Sequence, residues 1–234
     1  YKVSVSGTGA DEIFSGYYDH HLAYLAFLNK QNHYLYQESL SNWKEKVSPI
    51  VRNPFLKNKD YFIERPYGRD HIYLDSLKYS SFLKEPFHEP FFELNYTDNI
   101  LRNRMLNELF SETVPPILHE DDLNSMSFSI ENRSPYLDSS LMEWAYSIPT
   151  SFLIKDGLAK AVLRQSVKGI APNKVINNPR KVGFNIPIDQ YLDLNSESTF
   201  SWFKKENPAD IIIDKQKLIP LLSKTNRTRT NSES

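Results

Sequence analysis

Tyr1-Lys2-Val3-Ser4-Val5-Ser6-Gly7-Thr8-Gly9-Ala10-Asp11-Glu12-Ile13-Phe14-Ser15-Gly16-Tyr17 is the stretch on which the fold class turns. Tyr1, Val3 and Val5 alternate with polar residues, the period of a strand with one apolar face. Ser6-Gly7-Thr8-Gly9 has the composition of a turn. From Asp11 onward, Ile13, Phe14, Tyr17, Tyr18, His21, Leu22 and Leu25 fall on a single helical stripe. A strand that turns at once into a helix is the unit of an α/β fold. A strand needs partners for its backbone groups. The other strand candidates, His71-Ile72-Tyr73-Leu74 and Ile211-Ile212-Ile213, are short and ambiguous. The expectation is a helix-rich α/β chain whose parallel sheet lies mostly upstream, these residues being the C-terminal part of something longer. The alternative is an all-helical domain whose first five residues are a frayed arm.

The remainder reads as helices. One runs from about Glu38 to Val47, and the proline-rich stretch 49–70 reads as connecting loop. Another follows Thr97, with Ile100, Leu101, Met105, Leu106, Leu109 and Phe110 as its buried face, and Pro115-Pro116 is expected to stop it. Asp138 is expected to cap a helix that carries Leu141, Trp144 and Ala145 as far as Pro149. A last helix spans about Leu158 to Lys168, with Gly169 as its stop. Residues 1–223 are expected to fold as one domain, and 224–234, without aromatics or aliphatics, as a disordered tail.

Composition narrows the function classes. The chain has 234 residues, 40% hydrophobic and 24% charged, with a net charge of −1. That balance excludes a strongly basic grip on nucleic acid as the main theme. No apolar run approaches the roughly 20 residues that span a bilayer. Zero cysteines exclude disulfides, thiolate metal sites and a cysteine nucleophile within these residues, and fit a cytoplasmic protein. Asp19-His20-His21 resembles a box of metal-dependent phosphoesterases, but the further motifs of that class are missing. His21, on the apolar stripe, reads as a packed side chain.

Only seven glycines are present, and Gly7, Gly9 and Gly16 fall within the first sixteen residues. Such clustering points to a special backbone shape. A glycine turn before a helix exposes N–H groups where anions are favoured. Asp11 and Glu12 have two readings: complements to the helix dipole, or carboxylates that hold Mg²⁺ beside a phosphate. Lys160, Arg164 and Lys168 are spaced i, i+4, i+8, either as a solvated basic face or as a cationic wall.

Four blocks carry a resemblance. Ser6-Gly7-Thr8-Gly9-Ala10-Asp11-Glu12-Ile13-Phe14-Ser15-Gly16-Tyr17 is similar to the S-G-x-G-[AS]-D-E-[LIV]-F-x-G-Y motif of the asparagine synthetase family. Ser125-Met126 with Ile130-Glu131-Asn132-Arg133-Ser134-Pro135-Tyr136-Leu137-Asp138 resembles a second family block. Gly157-Leu158-Ala159-Lys160 with Leu163-Arg164 resembles a third, and Lys181-Val182-Gly183-Phe184 with Pro187 a fourth. The resemblance implies the back half of an ATP-pyrophosphatase-type (adenine-nucleotide α-hydrolase-like) synthetase domain. It implies a carbon–nitrogen ligase that uses ATP and Mg²⁺ to adenylate a carboxylate, aspartate by default. Glutamine-derived ammonia, released by an N-terminal glutaminase domain of the same longer chain, then attacks to give an amide, AMP and pyrophosphate. The family's S-G-G-x-D-S pyrophosphate loop has no counterpart here, so the fragment by itself is expected to be inactive. The implied partners are small molecules, with no nucleic acid and no membrane; a homodimer is compatible with them, and the implied location is the cytoplasm.

Carried over by position, Asp11 matches a Mg²⁺-binding carboxylate. Lys160 matches the lysine that stabilises charge during adenylation, where a fixed cation lowers the barrier. Ser6, Gly7, Thr8, Gly9, Lys160 and Lys181 are the implied ATP and pyrophosphate contacts. Glu131 and Arg133 are expected to form a supporting ion pair. Thr8 departs from the pattern, because well-studied members carry an acid there. A threonine hydroxyl is a poor general base near neutral pH. That raises an alternative acceptor, such as a sugar acid in surface-polysaccharide synthesis. A non-catalytic scaffold is the third reading.

Overall fold

The opening strand finds its partner far along the chain. β1 (Val3–Val5) pairs in parallel with β2 (Glu131–Arg133), Val3 opposite Glu131 and Val5 opposite Arg133. Flanking bonds extend the ladder, from Ser6 N–H to the Arg133 carbonyl (2.8 Å) and from Glu131 N–H to the Lys2 carbonyl (2.9 Å). The computed structural model describes residues 1–72, 74, 76–85, 91–181, 183, 193 and 196–220, the side chain of Leu77 excepted. Among these the architecture is helix-rich α/β with a two-stranded parallel sheet, and the all-helical alternative falls.

The helices are α1 (Ala10–Phe14), α2 (Tyr18–Gln31), α3 (His33–Lys46), α4 (Tyr61–Glu64), α5 (Ser76–Ser80), α6 (Ile100–Asn107), α7 (Val114–Met126), α8 (Ser139–Ser147), α9 (Ala161–Ser166), α10 (Asn173–Ile176) and α11 (Glu197–Lys204). The chain divides into two units, Tyr1–His71 with Phe92–Lys181, and Ile72–Phe91 with Val182–Ser234. In the second unit Leu83 makes an antiparallel bridge to Ile213, with bonds from Lys84 N–H to the Ile212 carbonyl and from Asp214 N–H to the Phe82 carbonyl, each 2.8 Å. The strand candidate at 211–213 thus reduces to one bridge. Tyr73, Phe184, Pro187 and the expected tail 224–234 lie outside the described residues.

Three expectations change. The first helical stripe is two helices, broken at Ser15-Gly16, where Ser15 takes φ 67°. Pro115-Pro116 opens α7 instead of ending its predecessor. The first-turn N–H groups of a helix lack intrahelical partners, so proline loses nothing there. The 158–168 helix is shorter, because Lys160 itself adopts φ 55° as the N-cap of α9. Asp138 caps α8 as expected, its carboxylate accepting from Leu141 N–H at 3.0 Å.

The core of the first unit surrounds α2. Leu22, Leu25 and Leu28 pack with Leu40, Trp43 and Val47 of the α3 region, Leu101 and Met105 of α6, and Leu153. A second cluster joins Ile13 and Phe14 to Leu109, Val114 and Ala145. Because α2 is enclosed, its polar residues are buried too: Asp19, His20 and His21. They meet an equally buried set on α6 and after it. Arg104 reaches Asp19 (2.9 Å), Glu93 (2.5 Å), Glu108 (3.2 Å) and Glu112 (3.1 Å). His20 Nε2 lies 2.7 Å from Glu108, and His71 Nε2 lies 3.3 Å from Asp19. Arg69 pairs with Glu93 and Glu112. Atoms of Asp19, His20 and Glu108 lie within 4.8 Å of one another, a spacing that suits a metal ion. The Arg104 guanidinium already engages both carboxylates, so the group is a closed ion-pair network. Buried charges require this mutual pairing.

His20 and His21 pull stability in opposite directions with pH. Burial works to lower His20, but Glu108 and Asp19 raise it above its ordinary value. Its contribution is complete below the unfolded-state pKa and fades as pH rises through the folded value. Burial and the His20 charge press His21 down to about 3. The unfolded chain then binds the His21 proton more readily, so stability falls as pH drops below about 6.5. His21→Leu is expected to remove that acid-side loss. Urea denaturation at several pH values should show the parent losing up to about 1.4 kcal/mol per pH unit relative to the variant between pH 6 and 4. Parallel curves would refute the assignment.

Candidate active site

The turn after β1 places its residues by sterics and short bonds. Ser6 Oγ donates to Thr8 Oγ1 (3.0 Å) and shares a contact with Ser134 Oγ (2.9 Å), tying the turn to the segment after β2. Gly9 precedes α1 at φ 95°, and a Cβ there would lie 2.3 Å from Leu137 Cδ2. At Gly7 a Cβ would meet nothing within 4 Å among the described residues, which leave the space beside it open. α1 is only five residues long, so its dipole contributes little to this end of the site.

Asp11 sits on α1 between two lysines. Lys160 Nζ lies 2.7 Å from Oδ1, and Lys181 Nζ lies 2.7 Å from Oδ2. The Lys181 contact is a directed hydrogen bond. The Lys160 contact is an ion pair at the same distance, so each carboxylate oxygen of Asp11 faces one ammonium. Burial works to raise the Asp11 pKa, but the charges and bonds of Lys160 and Lys181 hold it below the usual value. Lys160 N–H donates to the Ser15 carbonyl at 3.1 Å, so the α1–α2 break also fixes the lysine's backbone. Lys181 is held by Tyr18 Oη, which accepts from its N–H (3.0 Å), and its Nζ lies 5.2 Å from the Tyr17 ring centroid. Gly16 fits because it has no side chain: a Cβ would lie 1.6 Å from Asp11 Oδ1 and 2.5 Å from Lys160 Cε.

Glu12 points elsewhere. It is buried and accepts from Tyr17 Oη at 2.5 Å. Burial and that carboxylate keep the Tyr17 phenol protonated, far above its ordinary range. Arg164 does not extend a basic stripe from Lys160. Its guanidinium donates to the carbonyls of Ala159 (2.7 Å), Val175 (3.3 Å) and Ile176. Glu131 and Arg133 pair with each other at 3.0 Å, but both side chains are more than half exposed in this chain. Solvent screens an exposed pair, so this one adds little to stability.

The structure therefore brings together Asp11, Lys160 and Lys181, with Ser6–Gly9 leading into them along the chain. Ser15, Gly16, Tyr17 and Tyr18 complete the arrangement; the motif held the first three and the apolar stripe held both tyrosines, but neither assigned them to the site. The signal available for Gly16 was its place in the glycine cluster.

A parallel strand pair, a glycine turn and a carboxylate clasped by two distant lysines together mark a helix-rich α/β protein with a compact cluster of opposite charges beside the turn. The sequence profile of the asparagine synthase family matches residues 1–234, and the chain belongs to that family. It is 33% identical over 106 residues to asparagine synthetase [glutamine-hydrolyzing] 1 of Bacillus subtilis, covering 45% of this chain and 17% of that protein. It is 25% identical over 229 residues to asparagine synthetase [glutamine-hydrolyzing] 3 of the same organism, covering 95% of this chain and 33% of that protein. A putative asparagine synthetase [glutamine-hydrolyzing] of Mycobacterium bovis is 27% identical over 212 residues, covering 82% and 30%. The chain thus spans a third or less of the length of these curated relatives. No solved structure matches it. No helix among the described residues is long and apolar enough to cross a membrane.

Proposed function

We propose that the protein containing this chain is an ATP-dependent, amide-forming ligase of the asparagine synthetase type. It adenylates a carboxylate, aspartate by default, and transfers glutamine-derived ammonia to it, releasing AMP and pyrophosphate. In this reading residues 1–223 belong to an ATP-pyrophosphatase-type domain, and a glutaminase domain lies elsewhere in the same protein. The observation that supports it most is the grip of Lys160 and Lys181 on the single carboxylate of Asp11.

One carboxylate and two ammonium groups carry a net positive charge, which favours a polyphosphate. Lys160 and Lys181 can exchange Asp11 for phosphate oxygens, and the open space beside Gly7 leaves room above the Ser6–Gly9 turn. Once phosphate draws the lysines away, the two oxygens of the Asp11 carboxylate suit a hard cation, so Asp11 would hold Mg²⁺. When bound, that ion would neutralise phosphate charge. Lys160, fixed through its backbone to Ser15, would balance the charge that grows on the leaving pyrophosphate. Such preorganised charge costs no rearrangement at the moment of reaction.

A second reading, an acceptor other than aspartate, is favoured by Thr8. Its hydroxyl oxygen accepts from Ser6 and carries no charge to orient an incoming amine. The test is AMP and pyrophosphate release by the full-length protein with glutamine, ATP and Mg²⁺. Aspartate and a panel of sugar acids are each supplied in turn. Acceptor-dependent AMP is expected with one of them. Hydrolysis of ATP to ADP alone, or no turnover with any acid, would overturn the ligase reading.

A further inference from the structure

Away from Asp11, the first unit holds a cavity of about 210 Å³ between α2, α3 and residues 151–157. None of Asp11, Lys160 and Lys181 lines it. We propose that this cavity binds a neutral, hydroxyl-rich ring of monosaccharide size.

The volume is below the roughly 300–1,000 Å³ of pockets that take drug-sized ligands, which limits the occupant to about one ring. Tyr24, Trp43 and Phe152 supply aromatic wall. Tyr24 and Trp43 are buried, whereas Phe152 is 57% exposed. An aromatic face buries the C–H side of a sugar ring well. Polar groups in the wall set the other requirement. Glu38 and Asp156 line the cavity, and a carboxylate only accepts. The Ser39 hydroxyl and the Asn42 amide, in the same wall, can donate. A ligand hydroxyl meets both needs: it accepts from Ser39 or Asn42 and donates to a carboxylate. His21, neutral in the wall, offers one further donor and one acceptor. Among the lining side chains an anionic ligand would meet the carboxylates of Glu38 and Asp156 against the one ammonium of Lys155, while the Lys46 ammonium beside the wall is taken up by the Asn42 and Asp156 carbonyl oxygens, so the wall does not favour an anion. A planar heterocycle offers few donors to two carboxylates. The wall is also held in shape. Asp156 and Gly157 take φ 53° and 75°, and Lys46 Nζ donates to the Asp156 carbonyl at 3.0 Å.

This inference is independent of the ligase reading, because it concerns binding alone. The experiment is saturation-transfer NMR on the full-length protein without ATP. The probes are methyl glycosides of glucose, galactose, mannose and N-acetylglucosamine, with adenosine and citrate as competitors. Saturable binding of at least one glycoside is expected, with a Kd on the order of 1 mM. Phe152→Ala and Glu38→Gln, both on exposed residues, are expected to weaken it about tenfold each, by removing one ring face and one charged acceptor. Their melting temperatures should match the parent. Failure of every glycoside to bind, binding unchanged in both variants, or displacement by adenosine or citrate at lower concentration would each overturn the proposal.

Discussion

Gly16→Ala is expected to lower acceptor-dependent AMP formation by about a hundredfold or more, although the substituted residue carries no chemistry. A methyl group at that position would overlap Asp11 Oδ1, at 1.6 Å, and crowd Lys160 Cε, at 2.5 Å. Neither neighbour can yield without leaving the other. Asp11 is fixed to the short α1, whose end turns through Ser15, and the Ser15 carbonyl holds the Lys160 backbone. The carboxylate and the ammonium must therefore separate. Displacements of about 1 Å at a reacting centre can cost a hundredfold in rate. Overpacking should also destabilise the fold by about 1–3 kcal/mol. The two effects separate in steady-state kinetics below the melting transition. A folded Gly16→Ala protein with the parent's rate would show that Asp11 and Lys160 need not meet.

The largest stability effect is expected at Arg104. Replacing it with Met keeps the volume but removes the cation shared by Asp19, Glu93, Glu108 and Glu112. Arg69, His20 and His71 cannot compensate all four carboxylates. Removing one partner of a buried ion pair typically costs about 3–5 kcal/mol. For a chain of this size that corresponds to a melting point lower by roughly 6–20 °C. The loss should shrink as pH falls. Burial already raises the Glu108 pKa, against the pull of His20 and Arg104. Without Arg104, Glu108 protonates at a higher pH and sheds its uncompensated charge. Asp19 behaves oppositely in the parent: His20, His71 and Arg104 hold it well below its ordinary value against the effect of burial. Its contribution is present above the unfolded pKa and is lost only as pH falls through the lower folded value. Thermal denaturation of Arg104→Met at pH 7.5 and pH 5 reads both effects. A loss under 1 kcal/mol at pH 7.5 would mean that water, not the guanidinium, solvates these carboxylates.

Some of this was legible in the sequence because it depends on local rules. Alternation in Tyr1–Val5 gave a strand, and Asp138 before Leu141 gave a helix cap. What escaped depends on distant partners. Glu131-Asn132-Arg133 has no strand composition, and it becomes β2 only because β1 lies alongside. The third helix presented an aliphatic stripe, and Phe110 on that stripe is in fact exposed. Arg102, Asn103, Arg104, Asn107 and Glu108, off the stripe, are buried. Side chains of that kind read as solvent-facing until the matching Asp19 and His20 on α2 are placed opposite. The motif resemblance named Asp11, Lys160 and Lys181, three positions that no spacing rule connects. The tertiary structure adds what holds them: a left-handed Ser15, a glycine too crowded for a methyl group, and two tyrosines under Lys181.

In the proposed mechanism Lys160 works on nucleotide phosphates and does not merely neutralise Asp11. Its most direct test is AMP release by full-length Lys160→Ala, with glutamine hydrolysis measured in the same samples. AMP formation is expected to fall by about a hundred- to a thousandfold, the usual loss for one preorganised group at a transition state, with glutaminase activity close to the parent's. AMP formation at the parent rate would contradict it.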